Sequence, residues 1–202
     1  DNTVAVGYQS GYSITGGRYN TLVGSDSGYS ITGNSHNTYV GNNAGHSANQ
    51  SYNTYMGSSA GRYIGGGGNN VALGYESMKS SGTPSNNTGA NNTSIGFRSG
   101  FSNTTGFNNQ YFGYQSGYYG TTGRSNIAIG YNSQQGVSGS TTGNYNVSLG
   151  ENTLSSLTSG GNNFVVGSNA GLSLTSGEHN IICCSISGDA LTTTSNTVII
   201  GR

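Results

Sequence analysis

The chain has 202 residues, of which six are basic and six are acidic, so it carries no net charge. Charged residues are 6% of the chain, below the roughly 25% that is usual in soluble domains, and hydrophobic residues are a low 31%. The chain lacks the basic patches that bind nucleic-acid phosphates or anionic membrane surfaces, and no apolar run reaches the ~20 residues of a membrane span. We therefore expect no nucleic-acid partner and no membrane insertion.

A motif of the form Asn-x-x-apolar-Gly recurs along the whole chain, as in Asn20–Gly24 (NTLVG) and Asn37–Gly41 (NTYVG). Positions in each repeat are counted here from its closing residue, the anchor, so that position −1 precedes the anchor and position +1 follows it. The anchors are Gly7, Gly24, Gly41, Gly57, Gly74, Gly96, Gly113, Gly130, Gly150, Gly167, Cys184 and Gly201. They are 16 or 17 residues apart, except for intervals of 22 and 20 residues. A fixed period of this length is typical of solenoids.

The two longer intervals contain insertions near residues 83–89 and 136–142, and both segments have the composition of loops. The chain begins and ends inside its own repeat, with Asn2–Gly7 (NTVAVG) and Asn196–Gly201 (NTVIIG). We expect residues 1–202 to form one repeat domain that is a segment of a longer fibre protein.

Each repeat is predicted to open with a short β-strand just before its anchor. Position −1 is apolar in every repeat, position −3 is mostly β-branched, and residues two apart on a strand share a face. The two columns are therefore predicted to face inward, which places Ile129 inside the core and Gln134 outside it. Position −1 is occupied by Val6, Val23, Val40, Met56, Leu73, Ile95, Phe112, Ile129, Leu149, Val166, Cys183 and Ile200.

The residues after the anchor predict the rest of each coil. Position +3 holds only Ser, Ala or Thr, which indicates a close approach to another backbone. Position +7 returns to aliphatic residues in several repeats, among them Ile31, Val137 and Leu174, which predicts a second strand across a thin core. Two short strands and two turns make one coil, so the sequence predicts an all-β parallel solenoid of about twelve stacked coils.

Position −4 is Asn in ten of the twelve repeats, from Asn20 to Asn180. Asn side chains stacked at a turn can bond the turn backbone and the next Asn of the ladder. This turn chemistry accounts for the column without a catalytic role.

The segments NNVALGYES (Asn69–Ser77), SNIAIGYNS (Ser125–Ser133) and YNVSLGENT (Tyr145–Thr153) resemble the repeats of the YadA-like heads of trimeric autotransporter adhesins. They are even more similar to a variant found in tail-fibre and fibre-like proteins of phages and large viruses and in bacterial surface proteins. The resemblance covers nearly the whole chain. It implies a left-handed parallel β-roll, three chains associated side by side, and binding to host surfaces or matrix. This chain departs from the adhesin heads in its longer coil, its many tyrosines and its insertion loops.

Aromatic residues recur at positions +1 and +5. Exposed tyrosines stack on sugar rings and bond sugar hydroxyls, which makes these columns candidates for recognition of host glycans or matrix. The alternative is an aromatic ladder that packs coil on coil or chain on chain, and the match to the structural period favours it. The candidates are Tyr8, Tyr75, Phe97, Tyr114 and Tyr131 at position +1, and Tyr12, Tyr29, Phe101 and Tyr118 at position +5.

No group of catalytic, metal-binding or cofactor-binding residues stands out in the sequence. Cys183, Cys184 and His179 are too few for a convincing zinc site. The acidic residues lack the paired spacing of acid–base catalysts, and Gly65–Asn70 (GGGGNN) lacks the lysine of a phosphate-binding loop. We predict a non-enzymatic protein without a cofactor.

Four Asn residues in Asn-x-Ser/Thr sequons near the first insertion are candidate glycosylation sites: Asn86, Asn91, Asn92 and Asn103. The predicted function is a fibre or adhesin segment at an extracellular, cell-surface or virion location, built as a homotrimer and mediating attachment. One alternative is a protomer of a purely structural extracellular filament, in which open solenoid ends stack end to end. An ice-binding solenoid ranks last, because Val, Ile and Gln110 interrupt its threonine columns.

Overall fold

A computed structural model describes residues 2–80, 82–139 and 141–201 as short strands joined by turns, with one 3-10 turn at Pro84–Asn86. Each strand pairs in parallel with the next in the chain, which gives a twelve-stranded sheet in sequence order. The strands are β1 (Val4–Val6), β2 (Thr21–Val23), β3 (Thr38–Val40), β4 (Thr54–Met56), β5 (Val71–Leu73), β6 (Thr93–Ile95), β7 (Gln110–Phe112), β8 (Ile127–Ile129), β9 (Val147–Leu149), β10 (Phe164–Val166), β11 (Ile181–Cys183) and β12 (Val198–Ile200). The predicted all-β parallel solenoid is confirmed, and at about 4.8 Å per strand its sheet is about 53 Å long.

The sheet keeps one register along its whole length. Val71 of β5 pairs with Thr93 of β6 across the first insertion, and Ile127 of β8 pairs with Val147 of β9 across the second. The insertions therefore loop out of the coil, and each position of a repeat stacks directly on the same position of the next repeat.

The inward and outward faces of the strands are the reverse of the prediction. Position −2, the middle residue of each strand, points into the coil, whereas positions −3 and −1 point outward. Ile129 is 44% exposed, while Gln134 is only 2% exposed, so the predicted core position is outside and the predicted surface position is inside. Neighbouring side chains on a strand alternate between faces, so a strand whose middle side chain lies inside the coil directs both flanking side chains outward.

Position −2 shows no simple apolar pattern in the sequence, because its residues vary from Ala and Ser to Tyr. The structure shows that position +4 of the same repeat compensates for this variation. Tyr39 is fully buried opposite Gly45, where an added Cβ would lie 2.6 Å from the Tyr39 ring. Where position −2 is Ala72, position +4 is the buried Met78. Large residues at −2 thus pair with Gly at +4, as in Tyr55 with Gly61 and Leu22 with Gly28, and three small ones pair with large ones, as in Ala128 with Gln134 and Ser148 with Leu154. Ala5 with Gly11 and Ser94 with Gly100 are the exceptions among the described repeats.

The predicted second strand is wrong, although its aliphatic column does help to fill the core. Ile31 and Leu174 at position +7 are fully buried, whereas Val137 is 45% exposed. The chain between the anchor and this position forms consecutive turns instead of a strand. Positions +2 and +4 hold left-handed residues in successive repeats, such as Asp26 with φ 55° and Gly28 with φ 59°, and such a backbone cannot extend into a strand.

The small residues at position +3 lie where the turn meets the next coil, as predicted. The Ser27 hydroxyl donates to the Tyr39 carbonyl (3.1 Å), and the Ser116 hydroxyl donates to the Ala128 carbonyl (2.8 Å). Both serines are fully buried. A larger side chain at this position would displace the adjacent strand.

The predicted asparagine ladder is confirmed and is continuous through the buried interior. The Asn126 side-chain amide donates to the Asn109 Oδ1 (3.1 Å) and to the Gly143 carbonyl (2.8 Å). Its own Oδ1 accepts from the backbone N–H (3.0 Å) and the side chain (3.2 Å) of Asn146. Each Asn therefore satisfies a buried turn and fixes the height of the next coil.

Glycine at the anchor is required by the stacking of the coils. Gly57 has a φ of 134°, and a Cβ on it would lie 2.5 Å from the carbonyl oxygen of Gly74 in the next coil. Cys184 occupies the same slot with a φ of 94°. The backbone of Cys184 departs from the geometry of the glycine anchors, and this departure makes room for the Cys184 side chain next to the last coil.

The size compensation predicts an interaction between positions 39 and 45. Tyr39→Ala should cost about 3–5 kcal/mol because it opens a cavity, and Gly45→Met alone should also destabilise because it collides with the Tyr39 ring. The double variant reproduces the Ala72–Met78 pair, and Met78 itself adopts a left-handed φ of 46°. Denaturation of the parent chain, the two single variants and the double variant should measure their free energies of unfolding. The loss in the double variant should be smaller than the sum of the two single losses by at least about 1 kcal/mol. Additive losses would show that the two positions do not share one space.

The asparagine ladder predicts a large effect from a single amide. Asn126→Ala should cost about 2–6 kcal/mol, because the Gly143 carbonyl and the Asn146 N–H lose buried partners at about 1–3 kcal/mol each. Asn42→Ala is the matched control, since Asn42 is exposed, and it should stay within about 0.5 kcal/mol of the parent chain. Urea denaturation with amide exchange in the adjacent coils measures both variants, and similar losses would argue against the ladder.

Candidate interaction surfaces

The outward face of the sheet is an apolar surface that the sequence prediction assigned to the core. Positions −3 and −1 project from it in twelve successive strands, and position −1 is apolar in every one. Met56, Ile129 and Phe164 are each 44% exposed, and Val6 is 58% exposed. A face about 53 Å long and three residues, or about 10 Å, wide covers roughly 500 Å². Only part of this area is apolar, because position −3 is Thr or Gln in five of the strands, so it does not exceed the roughly 300–600 Å² found for the largest apolar patch of an ordinary monomer.

The aromatic residues at position +1 form a continuous ladder over four coils. Tyr75, Phe97, Tyr114 and Tyr131 stack with near-parallel rings at centroid distances of 5.5, 5.0 and 5.0 Å. They are 36–50% exposed. Tyr8 occupies the same column but is 72% exposed and stacks on no ring of the described residues. The structure therefore brings together four of the five candidates at this position.

The candidates at position +5 form two shorter stacks. Tyr12 and Tyr29 lie 5.1 Å apart, and His46 continues their stack at 5.0 Å. Phe101 and Tyr118 stack at 4.9 Å several coils away. The two stacks are separated in this column by Arg62 and Lys79.

A further stack at position −5 was not singled out in the sequence. The rings of Tyr19, His36 and Tyr52 stack with centroid distances of 5.0 and 5.1 Å, and these residues follow the same repeat period. The sequence does show an aromatic residue or a histidine at position −5 in three successive repeats. It was obscured because Asn, Ser or other polar residues occupy the position in most of the remaining coils.

The stacking geometry restricts what the aromatic columns can recognise. Each ring inside a stack has both faces covered by the neighbouring rings, so only its edge and any hydroxyl face the solvent. Sugar rings pack against aromatic faces, and within these stacks only the terminal rings, such as Tyr12 or Tyr131, leave a face uncovered by the stack. The geometry therefore favours the packing alternative for the inner members and restricts face-on recognition to the ends.

A charged cluster joins the two aromatic columns. The Glu76 carboxylate lies 2.6 Å from both the Lys79 Nζ and the Arg98 Nε, and its side chain is only 8% exposed. Burial by itself would raise the pKa of Glu76, but the two cationic partners outweigh it and hold the pKa below its usual value. The Arg98 guanidinium also lies 5.2 Å from the Phe97 ring and 5.5 Å from the Phe101 ring. The carboxylate is occupied by this network and is not poised for acid–base chemistry.

The three buried tyrosines inside the coil are neutral packing residues. Burial raises the pKa of Tyr39 well above its usual value and also raises the pKa of Tyr55 and Tyr111. Their phenols therefore stay protonated at physiological pH. The rings of Tyr39 and Tyr55 stack at 5.0 Å, which makes them an inner counterpart of the surface ladders.

The described residues contain no group of His, Cys, Asp and Glu arranged to hold a metal ion. Nor do they include a helix with the length and apolar character of a membrane span. Cys183 and Cys184 are free thiols, and Cys183 lies half-exposed on the outward sheet face instead of in the predicted core column.

The four sequon asparagines fall into two classes. Asn86 and Asn91 are exposed. Asn92 is 1% exposed as a member of the buried ladder, and Asn103 is 2% exposed, with its amide bonded to the Gly106 carbonyl (3.1 Å). Burial makes these last two side chains inaccessible to a glycosylating enzyme in the folded chain, and leaves Asn86 and Asn91 as the accessible candidates.

Comparisons of the chain with protein-family models, with curated proteins and with solved structures found no match.

The ladder geometry predicts that Tyr114 acts mainly through packing. Tyr114→Ala removes stacking on both Phe97 and Tyr131, and each aromatic pair contributes about 0.5–1.5 kcal/mol beyond the buried area. The variant should lose about 1–3 kcal/mol of stability in thermal or chemical denaturation. Tyr8→Ala is the matched control in the same column and should leave stability nearly unchanged. Equal effects of the two substitutions would mean that stacking adds nothing measurable.

Proposed function

We propose that the chain is a non-enzymatic segment of a surface fibre that assembles side by side with copies of itself, as a homotrimer, and mediates attachment. The observation that carries the proposal is the outward apolar face of the sheet. Branched and aromatic side chains line it over the full length of the solenoid, while charged residues are 6% of the chain. Removing such a face from water is favourable at about 25 cal/mol per Å², and a second copy of the same straight face matches its length and spacing.

Three further features support a structural role. The coils are fixed to one another by buried asparagine and strand hydrogen bonds along the whole axis, which suits a stiff projecting element. The resemblance to YadA-like heads and to tail-fibre repeats agrees with an extracellular, cell-surface or virion location. The aromatic edges and the exposed loop at the first insertion supply groups that can contact host glycans or matrix.

The assembly can be tested with charges on the outward sheet face. Ile95 and Ile129 are 37% and 44% exposed in the isolated chain, so Ile95→Asp with Ile129→Asp leaves the carboxylates solvated and the coil folded. The same carboxylates would be desolvated without partners in the assembly. Light scattering at micromolar concentration should report a trimer for the parent chain and a monomer for the double variant, with unchanged far-UV circular dichroism.

Thr105→Asp serves as the matched control, because Thr105 is exposed in a turn segment remote from the strand positions. It should leave the trimer intact. A monomeric parent chain, or a double variant that remains trimeric, would contradict assembly through this face. Long polymers of indefinite length would instead support the filament alternative.

A further inference from the structure

The first insertion lies against the coil that precedes it. Its turn at Pro84–Asn86 leads into Asn87, whose backbone carbonyl accepts the N–H groups of Gly65 (3.1 Å) and Gly66 (3.0 Å). The Asn87 side-chain amide donates to the Tyr63 carbonyl (2.9 Å). These bonds hold the loop in a defined position over the turn side of the solenoid.

The glycine run that begins at Gly65 is explained by this contact. A Cβ on Gly65 would collide with the Pro84 carbonyl oxygen, and a Cβ on Gly66 would lie 2.9 Å from the Thr88 methyl carbon. These glycines therefore form the surface on which the insertion packs, and they are not a phosphate-binding loop. This packing of the insertion on glycines occurs in one coil of the described solenoid.

Between the loop and the coils lies a cleft of about 470 Å³, the insertion cleft. Its volume is within the roughly 300–1,000 Å³ of small-molecule sites. The cleft combines turns of three consecutive coils with the tip of the insertion. Its walls include Ser30, Ser47, Asn49, Gly65, Pro84 and Ser85.

The lining of the insertion cleft is uncharged and combines hydroxyl and amide groups with carbon atoms of serine, glycine and proline residues. The Asn49 Oδ1 accepts from the Thr32 hydroxyl (3.2 Å) and from the Asn34 amide (2.7 Å), which fixes the Asn49 side chain. Its amide nitrogen makes no hydrogen bond with the described residues, so its two N–H donors remain available. The Ser47 hydroxyl lies 3.1 Å from the His46 Nδ1 and the Ser30 hydroxyl has no partner among the described residues.

We propose that the insertion cleft binds one or two residues of a neutral saccharide. Serine hydroxyls donate and accept, and the Asn49 amide donates, which matches the alternating donors and acceptors of sugar hydroxyls. The absence of charged groups from the lining gives no ion pair to a sialylated, sulfated or phosphorylated sugar. The cleft is open to solvent, so it would bury too little of a purely apolar ligand to hold it. The inference rests on the proposed attachment function and gives it a ligand class and a site.

The test uses the whole chain and a defined panel of sugars. Chemical-shift perturbation would be followed while glucose, galactose, mannose, lactose, maltose, sialyllactose and a sulfated disaccharide are each added up to about 10 mM. A neutral member should shift the amides of Ser47, Gly66 and Ser85, and the charged members should not bind more tightly than their neutral counterparts. Failure of every neutral sugar to bind, or preference for the charged ones, would overturn the proposal.

Two variants locate the binding. Ser47→Phe fills the cleft and should weaken the neutral sugar at least about tenfold. Ser173→Phe is the matched control, because Ser173 occupies the same position +6 in a coil remote from the insertion, with similar exposure. Asn49→Ala changes only an exposed side chain, so it tests the site even if Ser47→Phe folds poorly. It should also weaken binding of the neutral sugar. Unchanged affinity in Asn49→Ala and in a folded Ser47→Phe would place the sugar elsewhere and contradict the site.

Light scattering on the same proteins separates this proposal from that of assembly. Ser47→Phe should remain trimeric while it loses sugar binding, and the double Asp variant of the sheet face should lose the trimer and keep sugar binding. Sugar binding by a chain that proves monomeric would overturn the assembly alone, and a trimer without sugar binding would overturn the cleft alone.

Discussion

The structure depends on one constraint, the in-register parallel pairing of twelve very short strands. Because each residue stacks on the same position of the next coil, any side chain that recurs in sequence becomes a ladder along the axis. Stacked asparagines bond one another, stacked aromatics cover one another's faces, and stacked anchors leave no space for a Cβ. The repeat is thus a consequence of the stacking geometry and requires no catalytic role to explain it.

The narrowness of the coil explains how the core is filled. A three-residue strand contributes one inward side chain, and the turn opposite contributes a second at position +4. Tyr39 with Gly45 and Ala72 with Met78 share the available space in opposite ways. Position −1 is apolar in every strand and lies outside the coil, beside a position −3 that is mostly β-branched. An isolated chain of this shape cannot cover them, which links the core packing to the proposed assembly.

The two proposed interaction surfaces differ in how they arise from the repeat. The apolar face is a direct product of regularity, since the same two positions project from every strand. The insertion cleft arises from a departure from regularity, where an additional loop lies on the glycines at 65–67 and faces serines from earlier coils. Regular columns suit contacts with an identical partner, whereas a single irregular cleft suits a small ligand. The proposed assembly and the proposed recognition therefore use different parts of the same coil stack.

The sequence by itself determined the solenoid, its period, the places of both insertions and the asparagine ladder, because each of these depends on spacing along the chain. It also showed that positions −3 and −1 share a face. Only the tertiary structure decided that this face points outward, since alternation fixes which residues lie together but not which side is enclosed. The insertion cleft was equally beyond the sequence, because Ser47 and Pro84 meet only when the coils stack and the loop folds back over them.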